Sequence, residues 1–219
     1  MAQTENRDAQ AGSRRRRRSA AKRAAIVEAA AELFPERGYR STSVNDVAAR
    51  AGVAKQTVYE HFGDKQRLFT ATVLETIDRV GAPFFDRLAA LEAGEDPETR
   101  LAALARELAL VARDRRLVDL RRVVIAEARS FPDLARAYAE HGPGRTVAVL
   151  AAELRRISEG GALEIDEVEA AAERFNWLVL AAPLNRAMFD PEYEPRGEEL
   201  EGYANEAVRV FLAAYCRAS

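Results

Sequence analysis

From Ala20 almost to the C-terminal end, apolar residues recur every three or four positions, and no stretch shows a convincing period of two. Ile26, Ala29, Ala30, Leu33 and Phe34 make the first such stripe. Leu68, Phe69, Val73 and Ile77 make another, and Leu101, Leu104, Leu108 and Val111 a third. A repeat near 3.6 gathers these positions on one face of a helix, whereas a half-buried strand needs strict alternation. The expected fold class is therefore all-α. Breakers at Gly81–Pro83, Gly94–Pro97, Phe131–Pro132, Gly142–Gly144, Gly160–Gly161 and Asp190–Gly197 divide residues 64–216 into about six or seven helices of ordinary length. No internal repeat is evident.

The chain has 219 residues, 48% of them hydrophobic, which suffices for a helical domain of ordinary size and a smaller one beside it. A formal net charge of −2 conceals a division. Residues 1–65 hold 13 Lys and Arg against 8 Asp and Glu, a balance of +5; the remainder holds 20 against 27, a balance of −7. A basic N-terminal part on an acidic body points to one face for a polyanion. The lone Cys216 excludes an internal disulfide framework and fits a reducing compartment. Charges interrupt every apolar run before it reaches membrane-spanning length. The start MAQTENRDAQAGSRRRRRS has no apolar run after its arginines and carries Glu5 and Asp8, unlike a targeting peptide. The expected location is cytoplasmic, with no membrane partner.

Residues 1–19 are polar and end in Arg14, Arg15, Arg16, Arg17 and Arg18, which predicts a disordered basic arm. Those arginines read either as a solvated run or as an arm along phosphates or a minor groove. Pro35 should distort the end of the first helix and Gly38 should close it. Ser43 and Asp46 then have the spacing of a capping box. In VNDVAARAGVAKQTVYEHFGDK, two short helical patterns meet at Gly52, which tolerates the positive φ of a tight turn. Ala48 is small enough for a close helix crossing, and Val47, Val53, Val58 and Phe62 face a shared core. The spacing of Ala48, Gly52 and Val58 is that of a helix-turn-helix. It turns Lys55, Gln56 and Tyr59 outward on the second helix, with Thr57 at its flank. Gln pairs bidentately with adenine, Lys reaches guanine or phosphate, and hydroxyls hold phosphates. Ala54 leaves this helix without a side-chain cap, at a typical cost of ~1 kcal/mol. Asp64 reads as the next N-cap, so Lys65 opposes a helix dipole, as a phosphate anchor would.

The stretch AAIVEAAAELFPERGYRSTSVNDVAARAGVAKQTVYEHFGDKQRLF resembles the N-terminal domain of the TetR/AcrR family of transcriptional regulators. The shared features are AA-x-x-LF, Gly38–Tyr39, Thr42, Asp46-Val-Ala, Ala51-Gly-Val, Thr57-Val-Tyr59, Phe62 and Lys65. The resemblance implies a three-helix DNA-binding domain over residues 20–66, with a larger helical effector-binding and dimerisation domain over 67–219. It places Thr42, Lys55, Gln56, Thr57, Tyr59, His61 and Lys65 on DNA-facing positions. The segment LRRVVIAEARSFPDLARAYAEHGPGR is similar to the effector domain of one TetR subgroup, which implies a small-molecule pocket among the central helices. Its candidate aromatic and apolar lining is Phe84, Phe85, Phe131, Trp177, Leu180 and Met188.

One half-site reader binds weakly, so a homodimer on palindromic double-stranded DNA is expected. Its surface is sought on the last two long helices, where Val168, Ala171, Ala172, Phe175 and Val179 form one stripe. Ala204, Ala207, Val208, Phe211, Leu212 and Tyr215 form the other. The same stripes also read as packing on their own chain. Asn176 and Trp177 read equally as pocket wall or core, and Glu127 as ligand contact or as partner of Arg122 or Arg129. There is no His-Glu-x-x-His, Gly-x-Ser-x-Gly or phosphate loop, and His61, His141 and Cys216 lie too far apart for a zinc set. Neither catalysis nor a cofactor is expected. The leading reading is a DNA-binding regulator, most often a repressor, released by a hydrophobic small molecule. The alternative is a helical small-molecule binding protein that no longer binds DNA.

Overall fold

A computed structural model describes residues 2–89 and 96–216. The elements are α1 (Ala2–Ser41), α2 (Val44–Arg50), α3 (Lys55–Phe62), α4 (Lys65–Ala89), α5 (Pro97–Ala109), α6 (Arg115–Glu127), α7 (Pro132–Ala139), α8 (Arg145–Glu159), α9 (Val168–Phe189) and α10 (Gly197–Tyr215). A 3-10 turn, Leu110–Arg113, follows α5, and a π turn, Glu140–Gly144, joins α7 to α8. Among the described residues the only extended pairing is an isolated bridge between Leu163 and Cys216. None of their helices is long and apolar enough to cross a membrane. The chain divides into two compact units, Met1–Thr76 and Ile77–Ser219.

In the first unit α1 buries Ile26, Val27, Ala29, Ala30, Leu33 and Phe34. Pro35 is accommodated in the helix, and the break comes at Gly38, whose φ of 79° few other residues would adopt. Phe34, Tyr39 and Phe69 form an aromatic knot, with Phe34 and Phe69 edge to face at 4.9 Å. The division between units falls beyond the expected change at residue 66, because the first turns of α4 belong to this core: Leu68, Phe69 and Val73 are fully buried. Residues 2–19, expected as a disordered arm, continue α1 as helix. Arg, Ala and Gln make up most of the segment, and their high helix propensity extends it from an already nucleated end.

The second unit is built around α9, which packs against α5, α6, α8 and α10. Its core joins Leu101, Leu104 and Leu108 of α5 to Leu150 and Leu154 of α8, Phe175 and Val179 of α9, and Phe211 of α10. Two expected breakers do not break. Gly81–Pro83 lies inside α4, because Pro83 forfeits a single backbone bond while its neighbour Phe84 is buried. Gly142–Gly144 widens the helix into the π turn instead of ending it.

One ion pair is buried in this core. Arg100 of α5 reaches Glu153 of α8 at 2.5 Å with both side chains about nine-tenths covered, and Arg156 takes the other carboxylate oxygen at 2.7 Å. Removing one member of a buried pair strands the other charge. Glu153→Gln should therefore destabilise the fold by about 3–5 kcal/mol, read as a lower urea midpoint at unchanged slope.

Candidate functional site

The region 43–65 is assembled by local backbone chemistry. Ser43 caps α2: its hydroxyl accepts from the Asp46 N–H, while the Asp46 carboxylate accepts from the Ser43 N–H at 2.9 Å. The Ser43 hydroxyl and N–H hold the Asp46 carboxyl below its usual range. This support is present at neutral pH and is lost as pH falls through the depressed value. Gly52, at φ 65°, turns the chain, and the Val53 N–H closes the turn onto the Ala48 carbonyl at 3.0 Å. Val47 and Ala48 of α2 and Val58 and Phe62 of α3 are buried.

With those four inside, Lys55, Gln56, Tyr59 and Glu60 are exposed on the opposite face of α3, and Thr57 and His61 lie half-buried at its flank. Tyr59 is 43% exposed, high for an aromatic side chain, and the Lys55 ammonium lies 5.9 Å from its ring centre. The Gln56 amide donates to Glu60 at 3.2 Å. Glu60 escaped the sequence reading, although its position four residues after Gln56 is the spacing of a helix-face pair. It adds an acceptor suited to cytosine N4.

A wide depression runs between this helix and α1, lined by Arg14, Arg15, Arg17, Arg18 and Lys22 on one side and Thr57, Glu60 and His61 on the other. Arg16 is not part of it. None of the five cations forms an ion pair among the described residues. Arg23, by contrast, is engaged: it pairs with Glu75 and covers the Phe62 ring at 5.2 Å.

One expected DNA contact is corrected, and a second has an internal partner as well. Thr42 is only 1% exposed, and its hydroxyl donates to the carbonyls of Leu33 and Gly38 at 3.1 and 2.9 Å. Its side chain secures the end of α1 and does not reach the surface. Lys65 has an internal role that accounts for its place at a helix start: its ammonium donates to the Arg40 carbonyl at 3.2 Å and lies 4.3 Å from the Tyr39 ring centre. The Asp64 cap accepts from the Arg67 N–H at 2.7 Å.

In the second unit a cavity takes in Phe84, Phe85, Trp177 and Leu180 from the expected lining, together with Asn176. Phe131 and Met188 are not in its wall: Phe131 caps α7, and Met188 packs on the core. Glu127 is half-buried outside the cavity.

The expected dimer surface needs the largest correction. Phe175, Val179, Val208 and Phe211 are buried in their own chain, with Phe175 and Phe211 edge to face at 5.0 Å, while Leu212 and Tyr215 are partly covered. The outward face carries Trp177 and Leu178, each 40% exposed, and Val210 at 37%. These border a shallow apolar depression with Ala170 and Ala214, which the expected Phe211 and Tyr215 also line. α9 is apolar nearly all round, and periodicity alone does not rank its two faces.

Known proteins share this fold and parts of its sequence. Residues 26–72 match the family of bacterial regulatory proteins described as tetR, and residues 99–217 match the AefR-like transcriptional repressor C-terminal domain. An HTH-type transcriptional repressor of Mycobacterium tuberculosis, Rv3405c, is 34% identical over 189 residues, covering 86% of this chain and 88% of its own. A Mesorhizobium loti protein ascribed to the TetR-family transcriptional regulators superposes with a TM-score of 0.84 at 36% identity, over 91% of this chain and 99% of its own. The flavonoid-responsive regulator FrrA gives 0.74 at 27% identity, over 90% and 98%.

The uncapped start of α3 yields a direct test. Ala54 has φ −69° and ψ 146°, an N-cap conformation, without a side-chain acceptor. Ala54→Ser should stabilise the protein by ~1 kcal/mol, a rise of about 2–4 °C in melting temperature for a chain of this size.

Proposed function

The chain belongs to the TetR family of bacterial transcriptional regulators, and on that premise we propose that it is a repressor that holds a palindromic operator as a homodimer and releases it when a small molecule enters the cavity of the second unit. The observation that carries the DNA reading is the arginine-lined depression beside α3, where five cations have no carboxylate partner among the described residues. Such a groove follows a phosphate backbone, which fixes register without reading sequence. Lys55 and Gln56 are the base-reading groups of this proposal. Thr57, Tyr59 and His61 are its phosphate contacts, and Lys65 acts by holding Arg40 and Tyr39 in place.

Dimerisation is assigned to the exposed apolar face of α9 and α10, centred on Trp177, Leu178 and Val210. Small neighbours, Ala170 and Ala214, leave room for close helix approach. The apolar cavity supports an effector site, and the name of the FrrA relative suggests ring-containing molecules as its occupants. An effector that prefers the DNA-free state by ~3 kcal/mol would weaken operator affinity about 150-fold.

A gel shift with the DNA upstream of the coding region, at two salt concentrations, tests the regulator directly. Specific binding with a steep salt dependence is expected; no shift on any palindromic upstream DNA, with the dimer intact, would leave only small-molecule binding. Replacing Arg14, Arg15, Arg17 and Arg18 by Ala should flatten the slope by up to ~0.9 for each phosphate no longer neutralised, equally for all sequences. Gln56→Ala should instead relax preference at one or two base pairs by ~1–3 kcal/mol. For the dimer, Leu178→Asp with Val210→Asp should give a helical monomer in sedimentation that no longer shifts operator DNA; a persistent dimer would rule this face out.

A further inference from the structure

The second-unit cavity is apolar over most of its wall, through Ile77, Phe84, Leu108, Leu117, Leu180 and Leu184. Three polar side chains in that wall stand out. Asn176 is 4% exposed, yet its amide makes no hydrogen bond among the described residues. The Tyr138 phenol makes none either. Burial pushes its pKa up, with nearby Arg121 opposing, so it is a neutral donor. Arg121 has no ion pair among the described residues, and its guanidinium lies 5.9 Å from the Trp177 ring centre. Its neighbour Arg122 is fully engaged, with Asp119 at 2.5 Å and the carbonyls of Ala187 and Met188.

The Asn176 amide is not sealed into the core but opens onto the cavity, and a guanidinium without a counter-charge is unusual in a body whose balance is acidic. All three groups offer N–H or O–H donors, and the guanidinium has nothing else to offer. Their complement is an oxygen acceptor with negative charge, carried on an apolar body suited to the aromatic wall of Phe84, Phe85 and Trp177. A doubly charged, strongly hydrated ion does not suit walls this apolar. We propose that the cavity is a site for a small aromatic carboxylate, its anion held by Arg121 and Asn176 with Tyr138 as a further donor and its ring against the aromatic wall. The assignment rests on reading this cavity as the effector site.

The test titrates the full chain with 3-phenylpropanoate and with its neutral analogue 3-phenylpropanamide, by calorimetry and by the emission of Trp177, the single tryptophan. The acid should bind about tenfold or more tightly than the amide, as expected for a charge-assisted contact. In Arg121→Gln that preference should fall to within about twofold, with the amide's affinity unchanged. Asn176→Leu keeps the volume and removes the amide donor, so it should weaken the acid about tenfold while the melting temperature holds. A lowered melting temperature with unchanged acid affinity would make Asn176 structural and overturn its role. An amide that binds as tightly as the acid overturns the carboxylate and leaves the effector reading standing. Absence of binding by both probes at about 10 mM, a free energy under ~3 kcal/mol, overturns the assignment. Acid binding with the expected preference but no effect on the operator gel shift upholds the carboxylate site and removes the effector role.

Discussion

An eight-residue helix has no stability of its own in water, so whatever α3 presents to a partner depends on the burial of Val58 and Phe62. Each such side chain contributes roughly 1.5–3 kcal/mol when removed from water. That exceeds the ~1 kcal/mol missing at the uncapped Ala54. The same burial also fixes rotation: with Val58 and Phe62 inside, Lys55, Gln56 and Tyr59 have only one direction to face. Gly52 sets the approach of α2 and α3, and the Ser43–Asp46 box sets where α2 begins. A surface of a few exposed side chains is thus held by a core that none of them enters.

The cations of the first unit divide by role. Arg23, Arg50 and Lys65 are tied to Glu75, Glu32 and the Arg40 carbonyl, and they join helices to one another. Arg14, Arg15, Arg17, Arg18 and Lys22 line the groove without such ties. Charges bound internally are already partly compensated and gain less from a phosphate, whereas free ones release counterions when DNA binds. Lys65 illustrates the difference. Its position against the helix dipole suggested a phosphate, and the Tyr39 ring and a backbone carbonyl give its ammonium an internal anchor as well.

Most of the architecture was legible because its signals are local. The stripe Ile26 to Phe34, the glycine turn and the capping box need only neighbouring residues, and each stands where the pattern predicts. What escaped was non-local. Thr42 looks like an exposed polar residue until Leu33 and Gly38 are folded back over it. Phe131 and Met188 have the right chemistry for a pocket, but Phe131 sits at the start of α7 and Met188 packs on the core, outside its wall. On α9 the heptad-like run gives two apolar faces, and the choice between core and exterior depends on where α5 and α8 lie. The large residues Phe175 and Val179 turn toward those helices, leaving Trp177 and Leu178 outside.

That rotation gives Trp177 two neighbours at once. Its side chain borders the cavity with Asn176 and Leu180, and it also borders the exposed apolar depression with Leu178 and Val210. A rigid indole shared by two surfaces cannot be reoriented for one without altering the other. If a cavity ligand favours one orientation and a second copy of the chain favours the same or the other, the two affinities are linked, and linkage is reciprocal: the factor by which the ligand changes association is the factor by which association changes ligand binding. No chain of intermediates is required, since the two sites share one side chain. The energetic scale is modest, because a change of orientation would carry the indole between staggered rotamers and not through intermediate positions. Coupling of about 1–3 kcal/mol, the usual range for such switches, needs no more than a difference in packing between two rotamers of this one residue.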